Sequence, residues 1–540
     1  MLFDEDNFPF LAPFLVFAVH LYYKIVKCAY FLINLFVPRN VVPLPAPEDE
    51  HLIFCSATDL AEKIRQGEVS ATDLLETYVR RAEAVNEIVN AIVEKNYDDA
   101  RRAAKEVDEY LKQLDKDSDE FKQLPVTKPI LGIPFSVKDH IHVKGMKTTV
   151  GMPCFKDLPP NEESAVLIKN LRNAGGIPFV VTNVPEGIMW LETVNTVYGR
   201  TVNPYDSRRS AGGSSGGEAS LLGGAGTVFA IGSDIAGSIR APANKNGVVG
   251  LKPAPNVVDL TGFVPEKVGE AQAEMVGVGP LCRYAVDLNM LFKIFIGPEQ
   301  TKRLRLNEPV DLSSLRFYSM PGTKNNIASP SLSSDVLDAF NKAIECFESR
   351  LNTNVIPVDF PLAKYALNYW FERFTDGDYL PISHFFTGFT RDKRLEVFPE
   401  LRKWLVGESQ HITAVLMACL LEELTSMFNF KMDRKKVAEM REKFKQQLLN
   451  LLGDNGILIW PSLPQSGYFH NELLWECFSA EYMTIWNSLA LPAIACPMGL
   501  NNFNIPTGIQ LVCAPGNERL LIAAAEELER AGFKWTHPRA

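Results

Sequence analysis

The chain has 540 residues, 46% hydrophobic and 22% charged, a globular composition with ample apolar material for a large core. Its formal net charge of −10, with no basic run and no aromatic-plus-arginine platform, excludes a nucleic-acid partner, because phosphate binding needs a basic footprint. The nine cysteines are widely spaced and contain no C-x-x-C, so they read as reduced, mostly buried thiols and not as a disulfide framework or zinc site.

Residues 8–38 are strongly apolar, interrupted by His20, Lys24, Lys27 and Asn34. At helical spacing these four share one face. A narrow polar stripe on a greasy helix suits a helix lying in a membrane interface, or a spanning helix whose lysines snorkel. The run before the first lysine, residues 8–23, is shorter than the ~20 residues of a spanning helix. The acidic start (Asp4, Glu5, Asp6) and the lack of a small-residue cleavage site speak against a signal peptide. Residues 1–40 are therefore expected to anchor the protein to a membrane. If the helix spans, Lys24, Lys27 and Arg39 place the body on the cytosolic side. Residues 41–55 form a Pro-rich linker; with Pro38, Pro43, Pro45 and Pro47 the chain here reads as an extended, semi-rigid spacer.

Residues 56–540 read as one domain, since no further linker or internal repeat divides them. Ser56 and Ser70, each followed three residues on by Asp, predict capping boxes, and Gly67 predicts the stop of the first helix. A charged helix is expected over 96–116, a strand over 133–138, a helix over 162–174 ended by Gly175-Gly176, and a strand over 177–182. Strands alternating with helices imply an α/β fold with a parallel or mixed sheet. Residues 398–428 are a very apolar helical stretch preceded by Arg402, Lys403 and Trp404; this is either a buried helix or a membrane-facing cap over a substrate entrance.

The chemistry concentrates in Gly212-Gly213-Ser214-Ser215-Gly216-Gly217 and in Gly232-Ser233-Asp234-Ile235-Ala236-Gly237-Ser238-Ile239-Arg240-Ala241-Pro242. The small apolar residues of 220–231 do not suit a flexible linker, and the Walker and dinucleotide patterns are missing. A serine nucleophile needs a base and backbone N–H groups aimed at the developing oxyanion. Residues 235–238 can supply the latter, because consecutive N–H groups can converge on one concavity. None of the eight histidines has a hydrolase-like context, and His140 and His142 lack a third ligand for a metal. Lys138, after an apolar strand, is the better base, since desolvation disfavours its charged form.

Together, Lys138, the paired Ser214-Ser215 among glycines and the stretch from Gly232 to Pro242 resemble the amidase signature. The similarity continues through Gly247-Val248-Val249-Gly250-Leu251-Lys252-Pro253, through 491–497 and through 508–512, so it spans about 56–533. Within the amidase signature family of serine hydrolases, the apolar N-terminus, Thr182-Asn183-Val184-Pro185 and 198–204 resemble the fatty-acid amide hydrolases, their second type in particular. The resemblance implies a single large domain with a central mixed, twisted β-sheet covered by helices on both faces. It implies Ser238 as nucleophile, Ser214 as a bridging serine held by a cis peptide, and Lys138 as base. It further implies an oxyanion hole from the N–H groups of Ile235, Ala236, Gly237 and Ser238, and Ile188 lining the substrate site. Ala236 departs from the glycine many members carry, and so demands an ordinary φ. Asp234 and Arg240 read as loop-bracing groups. The implied activity is hydrolysis of lipid-like amides, N-acylethanolamines and primary fatty amides, without metal or cofactor. The protein is expected on a membrane of the endoplasmic reticulum or lipid-droplet type, with a homodimer as its self-association state.

Three alternatives stand beside this. Gly212-x-Ser214-x-Gly216 also satisfies the α/β-hydrolase pattern with Ser214 as nucleophile, provided an acid and a histidine such as His470 or His537 follow. An amidotransferase subunit shares the signature but has no place for an anchor. A non-catalytic, membrane-tethered lipid-binding protein would not need Lys138, Ser214 and Ser238 intact.

Overall fold

A computed structural model describes residues 12–266, 269–323, 326, 328–377, 379–427 and 432–538. The acidic start and residue 428 of the apolar stretch lie outside the described residues.

Two sheets organise the body. The smaller has β1 (Ile92–Lys95), β2 (Pro134–Lys138) and β3 (Ile177–Thr182) in the order β1-β3-β2, with β2 parallel and β1 antiparallel to β3. The larger contains β4 (Phe229–Asp234), β5 (Val249–Lys252), β6 (Gly277–Cys282), β7 (Arg316–Ser319), β8 (Val355–Pro357), β9 (Gly456–Pro461), β10 (Ala493–Leu500) and β11 (Pro506–Val512). Its order is β8-β7-β9-β11-β10-β5-β6-β4, with β7 parallel to β8 and β9 and the other pairs antiparallel. The sheet is thus mixed, as expected. β2 runs beside β4: the Phe135 and Phe229 rings stack at 5.0 Å, and the Ser136 N–H donates to Thr227 Oγ1 at 3.1 Å.

The period-2 alternation of β9 separates two cores. Ile457 and Ile459 join the main core, while Leu458 and Trp460 join a second one with Tyr482, Ile485 and Trp486 on the opposite face. Each face is therefore covered by helices, as an apolar sheet requires.

Local signals hold where the backbone decides them. Ser56 closes a full capping box with Asp59, and Gly67 ends that helix at φ 79°. Ser70 caps Asp73 N–H, without the reciprocal bond of a box. The strands at 134–138 and 177–182 and the helix Tyr97–Gln113 lie where predicted. The helix expected over 162–174 begins only at Val166. The Ser164 hydroxyl accepts from Lys144 N–H, and Ala165 N–H donates to His142 O at 2.9 Å, so tertiary pairing holds the preceding turn open.

The N-terminal α1 (Ala12–Asn34) lies along the body with Asn34 buried and His20 and Lys27 half-buried, while Lys24 of the polar stripe is exposed. Tyr23 is buried and its hydroxyl donates to Ala328 O at 2.7 Å; His20 Nε2 meets Ser331 Oγ at 2.8 Å; Trp475 Nε1 donates to the Tyr30 hydroxyl at 3.1 Å. The outer face, Phe14, Phe17, Ile25, Leu32 and Ile33, is exposed. Phe14–Asn34 is long and apolar enough, by length and composition, to cross a membrane. The Pro-rich stretch is extended but is no free spacer. Val42 is buried and bonds Pro204 O through its N–H at 2.9 Å, and Arg81 Nη1 donates to Pro43 O at 2.8 Å.

Candidate active site

Lys138 closes β2, and because β2 runs beside β4 of the other sheet its side chain meets Ser233 there. It is wholly buried. Its Nζ lies 2.8 Å from Ser214 Oγ, 2.9 Å from Ser233 Oγ and 3.5 Å from Ser233 O. All three contacts have Nζ as donor, to the two hydroxyl oxygens and to the Ser233 carbonyl; were the amine neutral, its lone pair could instead accept from the Ser214 hydroxyl. Burial pushes the Lys138 amine down to about 7, against the opposing pull of Asp234 and Glu218. Glu218 is buried on α2 (Gly216–Gly223), and burial pushes its carboxyl up to about 8 despite its bond with Ser136. To the extent that Glu218 is protonated, its pull on Lys138 weakens, and Asp234 remains the nearby negative charge opposing the effect of burial. Ser233 and Glu218 escaped the sequence reading. A carboxylate in a helix of Gly, Ala, Ser and Leu was the available signal for Glu218, since such a helix has no solvent face.

Ser214 follows a cis peptide from Gly213. Gly213 leaves no room for a side chain: a Cβ there would come 2.5 Å from Trp190 O. Ser215 N–H donates to Ser238 O at 3.2 Å, which joins the two serine loops directly. Ser238 precedes α3 (Arg240–Lys245) and is 6% exposed, open only toward the cavity described below.

The loop between β4 and α3 is held by one carboxylate. Asp234 accepts from the N–H groups of Gly237 at 2.7 Å and Ile239 at 3.1 Å, and from Arg240 Nε at 2.9 Å. Asn487 Nδ2 adds a bond at 2.9 Å, and Arg240 reaches on to Gln510 Oε1 at 2.7 Å and Met483 O at 3.0 Å. Both charged groups are fully buried. Arg240 and its hydrogen bonds outweigh burial and hold the Asp234 carboxyl well below the usual range. The bracing role read for Asp234 and Arg240 is what the structure contains. Gly237 takes φ 109°, and a Cβ there would meet Met483 Cβ at 2.5 Å; Ala236 keeps an ordinary φ. The Gly237 N–H is engaged by Asp234, whereas the N–H groups of Ile235, Ala236 and Ser238 have no protein acceptor among the described residues. Trp370 Nε1 fixes the Ile235 carbonyl at 2.8 Å, so that peptide's orientation is set from outside the loop.

Ser214, Ser238, Ile235 and Ile188 open onto a cavity of about 910 Å³, within the range of small-molecule sites. Lys138, Ala236 and Gly237 are not among its lining residues. Its far side is apolar, with Phe155, Phe263, Val276, Phe374, Phe385 and Phe389. Phe385 also packs under α4 (Val397–Leu405) and α5 (Thr413–Met427), the two helices into which the apolar stretch folds. Val415, Leu416 and Cys419 are buried, while Phe398, Leu405, Val406, Met417, Leu421 and Met427 face outward. Glu186, two residues before Ile188, ties this region down: it accepts from Ile412 N–H at 3.0 Å and meets His411 Nδ1 at 2.5 Å.

No histidine hydrogen-bonds either serine among the described residues. His470 is engaged by Glu192 at 2.5 Å and His537 by Arg81 at 2.8 Å, so the α/β-hydrolase arrangement lacks its base. His140 bonds Val264 O at 3.2 Å, and no cluster of three metal-ligating side chains exists among the described residues.

The amidase family matches residues 73–522. Fatty-acid amide hydrolase 2 of Homo sapiens is 35% identical over 507 residues, 93% of each chain, and fatty-acid amide hydrolase 2-B of Danio rerio is 34% identical over 509 residues, again 93% of each. A solved fatty acid amide hydrolase superposes with a TM-score of 0.69 at 21% identity, covering 91% of this chain and 87% of that one. The chain belongs to the amidase signature family, and is an amide-hydrolysing enzyme closely related to fatty-acid amide hydrolase 2.

Proposed function

We propose that this amidase hydrolyses fatty-acid amides, N-acylethanolamines and primary fatty amides, to free fatty acid and amine through an acyl-enzyme on Ser238. The observation that carries the reading is the 2.8 Å contact of buried Lys138 with Ser214, beside a largely apolar cavity that both serines line. Neutral Lys138 takes the Ser214 proton as Ser214 takes that of Ser238. Ser238 Oγ bonds to the amide carbon, and the oxyanion meets the N–H groups of Ile235, Ala236 and Ser238. The proton returns through Ser214 to the leaving nitrogen as the C–N bond breaks. Water then repeats the relay and releases the fatty acid. Ile188 and the phenylalanines hold the acyl chain. The relatives' names support this substrate class.

The enzyme works attached to a membrane. Polar contacts run from His20 to the end of α1, where Arg208 Nη1 donates to Asn34 O at 3.2 Å. A helix bound to a protein surface over that length cannot also cross ~30 Å of hydrocarbon. In this arrangement α1 lies in the interface with its apolar face in lipid. The outward residues of α4 and α5 continue that face: Leu474 packs with the cap, and its neighbour Trp475 bonds α1. Each buried CH₂ favours an apolar phase by ~0.8 kcal/mol, so long-chain substrates concentrate where the entrance opens.

Labelling with a fluorophosphonate, followed by turnover of a long-chain acyl amide, tests this in wild type, Ser238→Ala and Lys138→Ala. The expected adduct is on Ser238, with turnover lost in both variants. An adduct on Ser214, or undiminished turnover in Ser238→Ala, would refute the assignment.

A further inference from the structure

Where α1 ends, the chain turns through Leu35, Phe36 and Val37 toward Arg39 and leaves a pocket of about 230 Å³ against the body. Arg39, Arg208 and Arg209 line it, and all three converge on the single carboxylate of Asp206, at 3.8, 2.8 and 3.4 Å. No other acid lines the pocket, so its local charge is positive although the chain as a whole carries −10.

The body holds these guanidinium groups in place. Arg209 Nη1 donates to Gly467 O at 2.6 Å and its guanidinium carbon sits 4.3 Å over the Phe469 ring. Arg208 bonds Asn34 O, and Arg39 Nη2 donates to Tyr205 O at 3.2 Å. Arg39 Nη1 and Arg209 Nη2 have no acceptor among the described residues. Planar guanidinium forks fixed in this way suit a phosphate oxygen better than a carboxylate already shared three ways. The rim, by contrast, is greasy: Phe31, Leu35 and Phe503 line it and are exposed, and Phe36 beside it is 89% exposed.

We propose that this pocket binds the phosphate of an anionic phospholipid whose acyl chains lie along Phe31, Leu35, Phe36 and Phe503, a reading that rests on the membrane attachment proposed above. A soluble phosphate would use the arginines but leave the apolar rim uncovered. A phosphodiester with acyl chains satisfies both halves, and basic groups at the headgroup level attract anionic lipid.

The test is co-sedimentation of the full chain with vesicles of phosphatidylcholine alone and of phosphatidylcholine doped with phosphatidylserine. Two variants accompany the wild type. Arg39→Gln removes one free donor, and Asn502→Asp adds a carboxylate at the pocket without touching an arginine. Thermal unfolding checks that both are folded. Wild type is expected to bind neutral vesicles and to bind the anionic ones roughly tenfold more tightly. Each variant should keep neutral binding and lose most of that preference. A preference that survives both variants, or none in wild type, overturns the pocket assignment while leaving attachment intact. Failure of wild type to bind neutral vesicles overturns the attachment reading itself. If inorganic phosphate at matched ionic strength abolishes the preference and raises the unfolding temperature, the pocket is a soluble-phosphate site and the lipid assignment falls.

Discussion

The nucleophile loop and the outer helices are opposites in construction. Between β4 and α3, the buried charges of Asp234 and Arg240 are fully partnered, with Asp234 alone taking bonds from Gly237, Ile239, Arg240 and Asn487. On α1, α4 and α5, large apolar side chains such as Phe17, Leu405 and Leu421 are left outside. Water explains neither arrangement. The first is stable because an unmade buried hydrogen bond is expensive; the second makes sense if the adjoining solvent is lipid. The difference predicts that damage to the loop is felt by every amide, and damage to the outer helices only by substrates delivered from a membrane.

The largest expected effect is on chemistry. Ser238→Ala should lower turnover of short and long amides alike by about four orders of magnitude or more, measured as kcat/KM. A loss confined to long-chain amides would erase the distinction between the regions. Next, Asp234→Asn leaves Arg240 buried without its counter-charge and should destabilise the protein by ~3–5 kcal/mol in urea unfolding. The pH dependence follows from Lys138. The amine acts neutral and titrates at about 7, so kcat/KM should fall roughly tenfold per unit as pH drops below that value and level off above it. A profile flat through that range would remove Lys138 as the base.

Smaller effects test the outer region. Deleting residues 1–40, or replacing Met417 and Leu421 together by Ser, should weaken vesicle binding and long-chain turnover on vesicles by about tenfold. Hydrolysis of a short soluble amide should not change. Smallest of all, Glu218→Gln should barely move the pH profile, because the carboxyl it replaces is held protonated by burial up to about 8. A downward shift of the Lys138 inflection by a full unit would show that Glu218 is ionised and supports the charged amine.

Lys138, Ser214 and Ser238 are picked out by the resemblance to the amidase signature, and the structure brings Lys138 and Ser214 to 2.8 Å; the bracing pair Asp234 and Arg240 was legible because the two stand six residues apart in one loop. Ser233 and Glu218 were not legible, since their roles come from the meeting of β2 with β4, a long-range contact between two sheets that no local pattern encodes. The polar stripe of α1 shows the same limit. Its periodicity groups His20 and Asn34 on one face, but periodicity says which residues face together and nothing of what they meet. Here they meet the body. The late start of the helix at Val166 has a similar cause, in backbone bonds made with 142–144.

The docked proline segment bears on how the enzyme would sit on lipid. With Val42 and Pro43 fastened to Pro204 and Arg81, α1 and the catalytic body turn as one piece, and no loose tether separates them. On the proposed membrane, the cavity mouth would then be held at a set height and tilt. Lengthening this strap with glycine and serine would let the body swing, so that an orientation built into the fold became one found by diffusion.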